Sequence, residues 1–209
     1  MLLQQSPWLM TDQPQMDAVS SLRQELPALG LTAGFATPQI RPVYADLMLL
    51  WLEVNRARAA NENLIAAARL TWWRDAIAEN KPEGVPLAMR LLEYKSLDQS
   101  QLTAGLTNLI DVTINSSPEG KIEAENQCHL IYGKILSAIL GGDALSAGQV
   151  LINLKASLAG KPSDIEYDVQ SLPKVLRLVD WLTQNPMRLH YPEAKPMLAL
   201  SMIFAAIRL

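Results

Sequence analysis

The chain of 209 residues holds a single cysteine, Cys128, and only two histidines, His129 and His190. A lone thiol excludes an internal disulfide framework and suits a reducing compartment. Its expected role is that of a small buried apolar side chain. The two histidines do not stand at a metal-ligand spacing, so no zinc site is expected. Cys128 and His129 are neighbours, and on a helix they point about 100° apart, which precludes a thiolate–imidazole pair. Basic residues are also short: 18 against 21 acidic give a net charge of −3 and a pI near 5.4. That balance offers no electrostatic footprint for nucleic acid. No apolar run approaches the roughly 18 residues needed to cross a bilayer. Alternating β-branched stretches are rare, and neither Asn-Gly nor Asp-Gly occurs to turn a hairpin. A Gly-rich phosphate loop and a Gly-x-Ser-x-Gly elbow are both missing.

What is present is apolar and helical. Hydrophobic residues make up 49% and charged residues 19%, the composition of a globular core-forming chain. The start, "MLLQQSPWLM", lacks a basic n-region and reads as a tail, floppy or docking, over residues 1–12. Met10-Thr11-Asp12 equally suits an alternative start. Residues 13–209 then read as one all-α domain, a helical bundle of about nine helices with short connections. "MDAVSSLRQELPALG" opens on Asp17 as a cap and closes on Gly30, with Pro27 marking its end. "TPQIRPVYADLMLLWLEVNRARAA" places Pro42 in a first helical turn. Its interior from Val43 to Val54 is apolar apart from Asp46, the pattern of a helix buried within a bundle. Ser96 or Asp98 caps a later helix, and Gly141-Gly142 stops a long one. In that long helix Ile131, Ile135, Ala138 and Ile139 recur at spacings of three and four. "KPSDIEYDVQS" is the clearest loop.

Polar residues inside these patterns are the candidates for function. Glu53 lies three residues before Arg56, so the two can pair along one helix face, with Arg58 close behind. Arg69 precedes Trp72 and Trp73 by three and four residues, the spacing that lets a guanidinium lie against an indole. The two indoles point about 100° apart, so one enters the core and the other sits at a rim. Arg74 and Asp75 then face solvent. The remaining carboxylates, Glu123 with Glu125 and Asp164, Glu166 and Asp168, read as solvated charge, and no metal ligands are assigned.

The stretches "EVNRARAANENLIAAARLTWWRDAIAEN" and "PEGVPLAMRLLE" resemble the squalene/phytoene synthase family, in its divergent bacterial and mitochondrial branch. The mitochondrial member of that branch is an assembly factor for respiratory complex I. Residues 41 to 92 carry most of the likeness, with the Arg-Leu-x-Trp-Trp-Arg core the most specific part. "AENQCHLIYGKILSAILGG" and "LSAGQVLINLKASLAG" resemble the paired inner helices of that fold. The resemblance implies a shortened isoprenoid-synthase fold around an apolar cavity. Catalytic members join two prenyl diphosphates and hold magnesium through two Asp-rich motifs on facing helices, which neutralises the diphosphate charge. Here the first motif is replaced by Glu53-Val54-Asn55-Arg56-Ala57 and the second by Asn153-Leu154-Lys155-Ala156-Ser157.

The expectation that follows is a non-catalytic relative without a cofactor, binding an isoprenoid-type lipid or anionic ligand, a protein partner, or both. Glu53, Arg56, Arg58, Arg69, Trp72, Trp73 and Arg74 are the candidate ligand-binding residues, since guanidinium groups match phosphate oxygens in pairs. Its setting would be cytoplasmic, with peripheral membrane contact. One alternative is an active prenyl transferase holding magnesium through Glu53 with Asp164 and Asp168. Another is a respiratory-complex assembly factor acting through protein contacts alone.

Overall fold

The computed structural model describes residues 17–82, 84–117, 120–161, 167–184, 188–189 and 196–208. The N-terminal tail over residues 1–12, His190, Asp164 and Glu166 lie outside them. Asp17 does cap the first helix, α1 (Ala18–Glu25), with Oδ1 accepting the Ser20 N–H at 2.9 Å. The helix expected to run on to Gly30 is broken, however. Leu26 is extended (φ −141°, ψ 90°), as the residue before a proline prefers. Pro27 then opens α2 (Pro27–Thr32) at its first turn, where a missing N–H costs nothing. Gly30 is not a stop: it lies inside α2 against α1, and a Cβ there would fall 2.7 Å from the Arg23 Cα.

A 3-10 turn over Ala33–Phe35 leads to α3 (Arg41–Arg58), with Pro42 in its first turn as expected. Every residue from Val43 to Trp51 is buried, so α3 is the central rod of the bundle. There follow α4 (Asn63–Ala78), α5 (Pro86–Glu93), α6 (Gln99–Asn115), α7 (Lys121–Leu140), α8 (Ala144–Leu158), α9 (Lys174–Thr183) and α10 (Pro196–Arg208). Asp98, not Ser96, caps α6, accepting the N–H groups of Ser100 at 2.9 Å and Gln101 at 3.2 Å. Gly141 (φ 78°) and Gly142 (φ 86°) end α7 in the left-handed region. The described residues thus form ten α-helices and no strand, one more helix than expected because α1 and α2 are separate.

The chain is an all-α bundle around one principal apolar core drawn from every helix. The buried stripe of α7 is Cys128, Tyr132, Ile135 and Leu136, while Ala138 of the expected stripe is exposed. The difference comes from α8, which meets α7 at Gly133 and so rotates the inner face toward it. A Cβ on Gly133 would lie 2.3 Å from the Gly148 nitrogen, and one on Gly148 would lie 2.7 Å from the Leu130 Cα. Asp46, the one acid in the α3 run, is fully buried. It accepts from Arg90 Nε at 2.9 Å and Nη2 at 2.7 Å, and from the Tyr94 hydroxyl at 2.6 Å, which ties α3 to α5.

One end of the bundle gathers the termini that matter for function. Asn63 Nδ2 donates to the Ser116 carbonyl at 3.0 Å, so the start of α4 meets the end of α6. Lys155 pairs with Glu125, which brings the last turns of α8 beside the start of α7. The Ser157 hydroxyl donates to the Thr183 carbonyl at 2.9 Å, adding the end of α9. Arg58, the last residue of α3, lies five residues before Asn63 at this same end.

Candidate functional site

The seven candidate residues divide between two places and a remainder. Glu53, Arg56, Ala57, Arg69, Trp72 and Trp73 line an open cleft of about 300 Å³ between α3 and α4. Trp73 is buried and Trp72 is half-buried, and their rings meet edge to face with centroids 5.0 Å apart at 81°. Arg56 donates to Glu53 at 2.5 Å, the pairing the spacing predicts, and also to Glu25 at the end of α1. A second cleft of about 350 Å³ adjoins the first, sharing Glu53, Arg56 and Trp73 and reaching Leu87 and Arg90. Arg56 therefore sits astride one continuous surface groove, with its charge already matched by two carboxylates. Arg74 belongs to neither cleft. Its Nε donates to Asp75 at 2.8 Å, a local pair with little energetic weight at partial exposure.

Arg58 turns the other way, toward the side of α3 that meets α7, where its charge and that of Lys155 on α8 both reach His129. There Trp51 Nε1 donates to His129 Nδ1 at 3.2 Å, and Asn55 Nδ2 donates to the Trp51 carbonyl at 2.7 Å. Because Nδ1 accepts, the neutral imidazole carries its proton on Nε2. That Nε2 is buried without a hydrogen-bond partner among the described residues, as are Arg58 Nε and Asn55 Oδ1. Burial, and then the charges of Lys155 and Arg58, push the His129 pKa down to about 3, so the ring is neutral at pH 7. Burial raises the Cys128 thiol, which Arg58 and Lys155 partly oppose, so Cys128 is held as a thiol and not as a nucleophile.

Comparison of the chain with family models, with curated proteins and with solved structures gives no match. The site is therefore read from its own chemistry.

A second polar nest joins α8 to α9. Asn153 Nδ2 donates to the Tyr167 hydroxyl at 3.3 Å, and that hydroxyl donates to Asp180, whose other oxygen accepts from Gln184 at 3.1 Å. Burial raises the Asp180 pKa, opposed by the hydrogen bonds from Tyr167 and Gln184. Asn153 Oδ1 is buried without a hydrogen-bond partner among the described residues. Asn55 and Asn153 thus present amides, and Lys155 an ammonium paired with Glu125, on α3 and α8. Among the described residues no three His, Cys, Asp or Glu side chains are disposed to hold a metal ion. Asp168 is exposed, as expected of a solvated charge, and also caps the 3-10 turn Val169–Ser171 through the Gln170 N–H at 3.0 Å. Glu125 is engaged by Lys155.

Sequence reasoning missed the role of His129. It stands three residues before Tyr132 and seven before Leu136, on the buried stripe of α7, and that register was the signal available. Its partner Trp51 is 78 residues away and leaves no local trace.

Proposed function

We propose that the chain is a squalene/phytoene synthase-like helical protein that binds an anionic, isoprenoid-type lipid without condensing it. One observation carries this reading. The inner faces of α3 and α7 hold buried donors without hydrogen-bond partners, Arg58 Nε and His129 Nε2, beside the positive charge of Lys155. Buried donors without partners are costly, and an oxyanion that accepts from them repays that cost. Trp51, Tyr132 and Leu136 pack in the apolar core beside these donors, and a hydrocarbon chain would have to displace or part them to reach the donors. Such a ligand would be held by guanidinium and imidazole N–H groups, with no metal bridge. This reading carries a cytoplasmic, membrane-peripheral setting.

The test is thermal unfolding with farnesyl diphosphate and with inorganic diphosphate, each with and without magnesium. Stabilisation independent of magnesium, and lost in Arg58→Gln, is the expected result; at a hundredfold excess over Kd it amounts to about 2.7 kcal/mol. Diphosphate release that requires magnesium and disappears in Glu53→Gln would establish the prenyl transferase alternative instead. The assembly-factor reading has its own support in α10. There Leu200, Ile203, Phe204 and Ile207 follow the i, i+3, i+4, i+7 spacing of one helix face and are exposed.

A further inference from the structure

The end of α6 and the start of α7 frame an open cleft of about 360 Å³, lined by Asp111, Asn115 and Ser116 on one side and by Glu123 and Gln127 on the other. Both whole charges in this lining are negative. Neither Asp111 nor Glu123 forms an ion pair among the described residues, and Glu123 accepts from the Gln127 amide at 3.4 Å. The helix ends do not neutralise them. The α6 end carries roughly half a negative charge and has no basic residue in its last turn, while the α7 start carries roughly half a positive one. Those two fractions offset each other and leave the carboxylates unbalanced. Exposed Glu62 adds a third, since its neighbour Asn63 donates to the Ser116 carbonyl at 3.0 Å. Arg58 and Lys161 stand at this end of the bundle, yet neither lines the cleft. Glu119 and Lys121, whose side chains are not among those described, carry opposite charges and cancel.

Apolar side chains accompany the acid. Ile114 and Ile122 (74% exposed) adjoin the lining residues Asn115 and Glu123 in the chain, and exposed Leu64 and Ile65 follow Asn63 at the start of α4. Exposed apolar residues grouped in this way mark an interaction surface. The sign of the charge then selects the partner, because potentials across an interface are complementary. Anionic lipid is repelled by such a face, and a second copy of this chain, at a net charge of −3, carries the same sign. We propose that this face docks a basic amphipathic segment of a partner protein. A lysine or arginine of that segment enters the cleft between Asp111 and Glu123, and its apolar side chains cover Leu64, Ile114 and Ile122. Nothing in this contact depends on Arg58 or His129 holding an anion.

Fluorescence anisotropy tests this with the full chain and three labelled synthetic peptides. One is an amphipathic helix of leucine and lysine, the second carries glutamate in place of lysine, and the third carries serine in place of leucine. The leucine–lysine peptide is expected to bind at least about tenfold more tightly than either of the others. Asp111→Asn/Glu123→Gln and Leu64→Ser/Ile122→Ser are each expected to weaken it about tenfold or more, with unchanged circular dichroism. Phe204→Ser/Ile207→Ser on α10 is expected to leave it unchanged. Asp111→Lys/Glu123→Lys is expected to exchange the preference toward the leucine–glutamate peptide, a gain that a merely damaged fold does not produce. Absence of binding, equal binding of the acidic peptide to the wild type, or loss confined to the α10 variant would overturn the proposal. So would attachment to phosphatidylcholine vesicles that Leu64→Ser/Ile122→Ser abolishes while the cleft variants bind the peptide as the wild type does.

Discussion

At the scale of single residues, the Asp46 carboxylate raises the sharpest energetic question. It interrupts an otherwise apolar buried run, and taking a carboxylate out of water costs several kcal/mol unless it is paired and fully bonded. Arg90 and Tyr94 supply three bonds of normal length to it. Arg90→Met leaves Asp46 buried with the Tyr94 hydroxyl as its remaining donor from this group, and is expected to cost about 3–5 kcal/mol. Asp46→Leu/Arg90→Met removes both charges and is expected to recover most of that loss. Urea unfolding measures both, and a single-variant cost under about 1 kcal/mol would show that the pair is not essential. The sequence displayed Asp46 as the one acid in the run, yet Arg90 stands 44 residues away and carries no mark of pairing with it. The Glu53–Arg56 pair was legible because it lies within one helix turn. The third member, Glu25, arrives from α1 through the fold. The same distinction holds for Trp72 and Trp73, whose unequal burial follows from helical geometry alone.

At the scale of elements, the signals that were legible are those a helix carries within itself. Asp17 and Asp98 cap, Pro42 sits in a first turn, and Gly141-Gly142 stops α7, all through contacts spanning a few residues. Gly30, Gly133 and Gly148 were not legible, because their reason is the backbone of another helix. Glycine inside a helix costs roughly 1 kcal/mol relative to alanine, so its presence there calls for such a reason. Substitution by alanine separates the cases. At Gly133 the new methyl meets the backbone of Gly148 at 2.3 Å and of Ala144 at 2.7 Å, which cannot yield without parting α7 from α8. Gly133→Ala is expected to destabilise by about 1–3 kcal/mol through overpacking. Gly105→Ala meets the flexible Cδ1 of Ile135 at 2.7 Å and is expected to cost less. At Gly34 nothing lies within 4 Å, and Gly34→Ala is expected to be neutral or to stabilise by up to about 1 kcal/mol. Denaturant midpoints give the order, and a Gly133→Ala no less stable than Gly34→Ala would mean that the helices separate freely.

At the scale of the whole molecule, the all-α class followed from periodicity and from the scarcity of strand signals. The polar interior did not, since it is assembled from α3, α7, α8 and α9 across most of the chain. That interior makes stability depend on pH in a definite direction. His129 has a pKa of about 3 when folded and, once exposed, titrates near 6.5. Between those values the unfolded state binds the proton and the folded state does not, so stability falls as pH drops from about 6.5 toward 3. At about 1.4 kcal/mol for each unit of displacement, the loss is on the order of 4 kcal/mol near pH 3. Asp180 acts in the opposite sense. Its folded pKa is raised, so it favours the folded state at low pH and loses that contribution as pH rises through the folded value. The helix-capping Asp17, Asp98 and Asp143 have lowered pKa values from hydrogen bonds within their caps, and their stabilisation fades only as pH falls below about 4. His129→Gln retains an acceptor for the Trp51 N–H but cannot gain a proton. Its stability curve is expected to be flatter than that of the wild type between pH 6.5 and 4, whatever its height at pH 7. Below pH 4 both proteins lose the cap contributions together. Urea unfolding across this range reads the slope directly, and parallel curves would show that His129 does not govern the acid stability of the bundle.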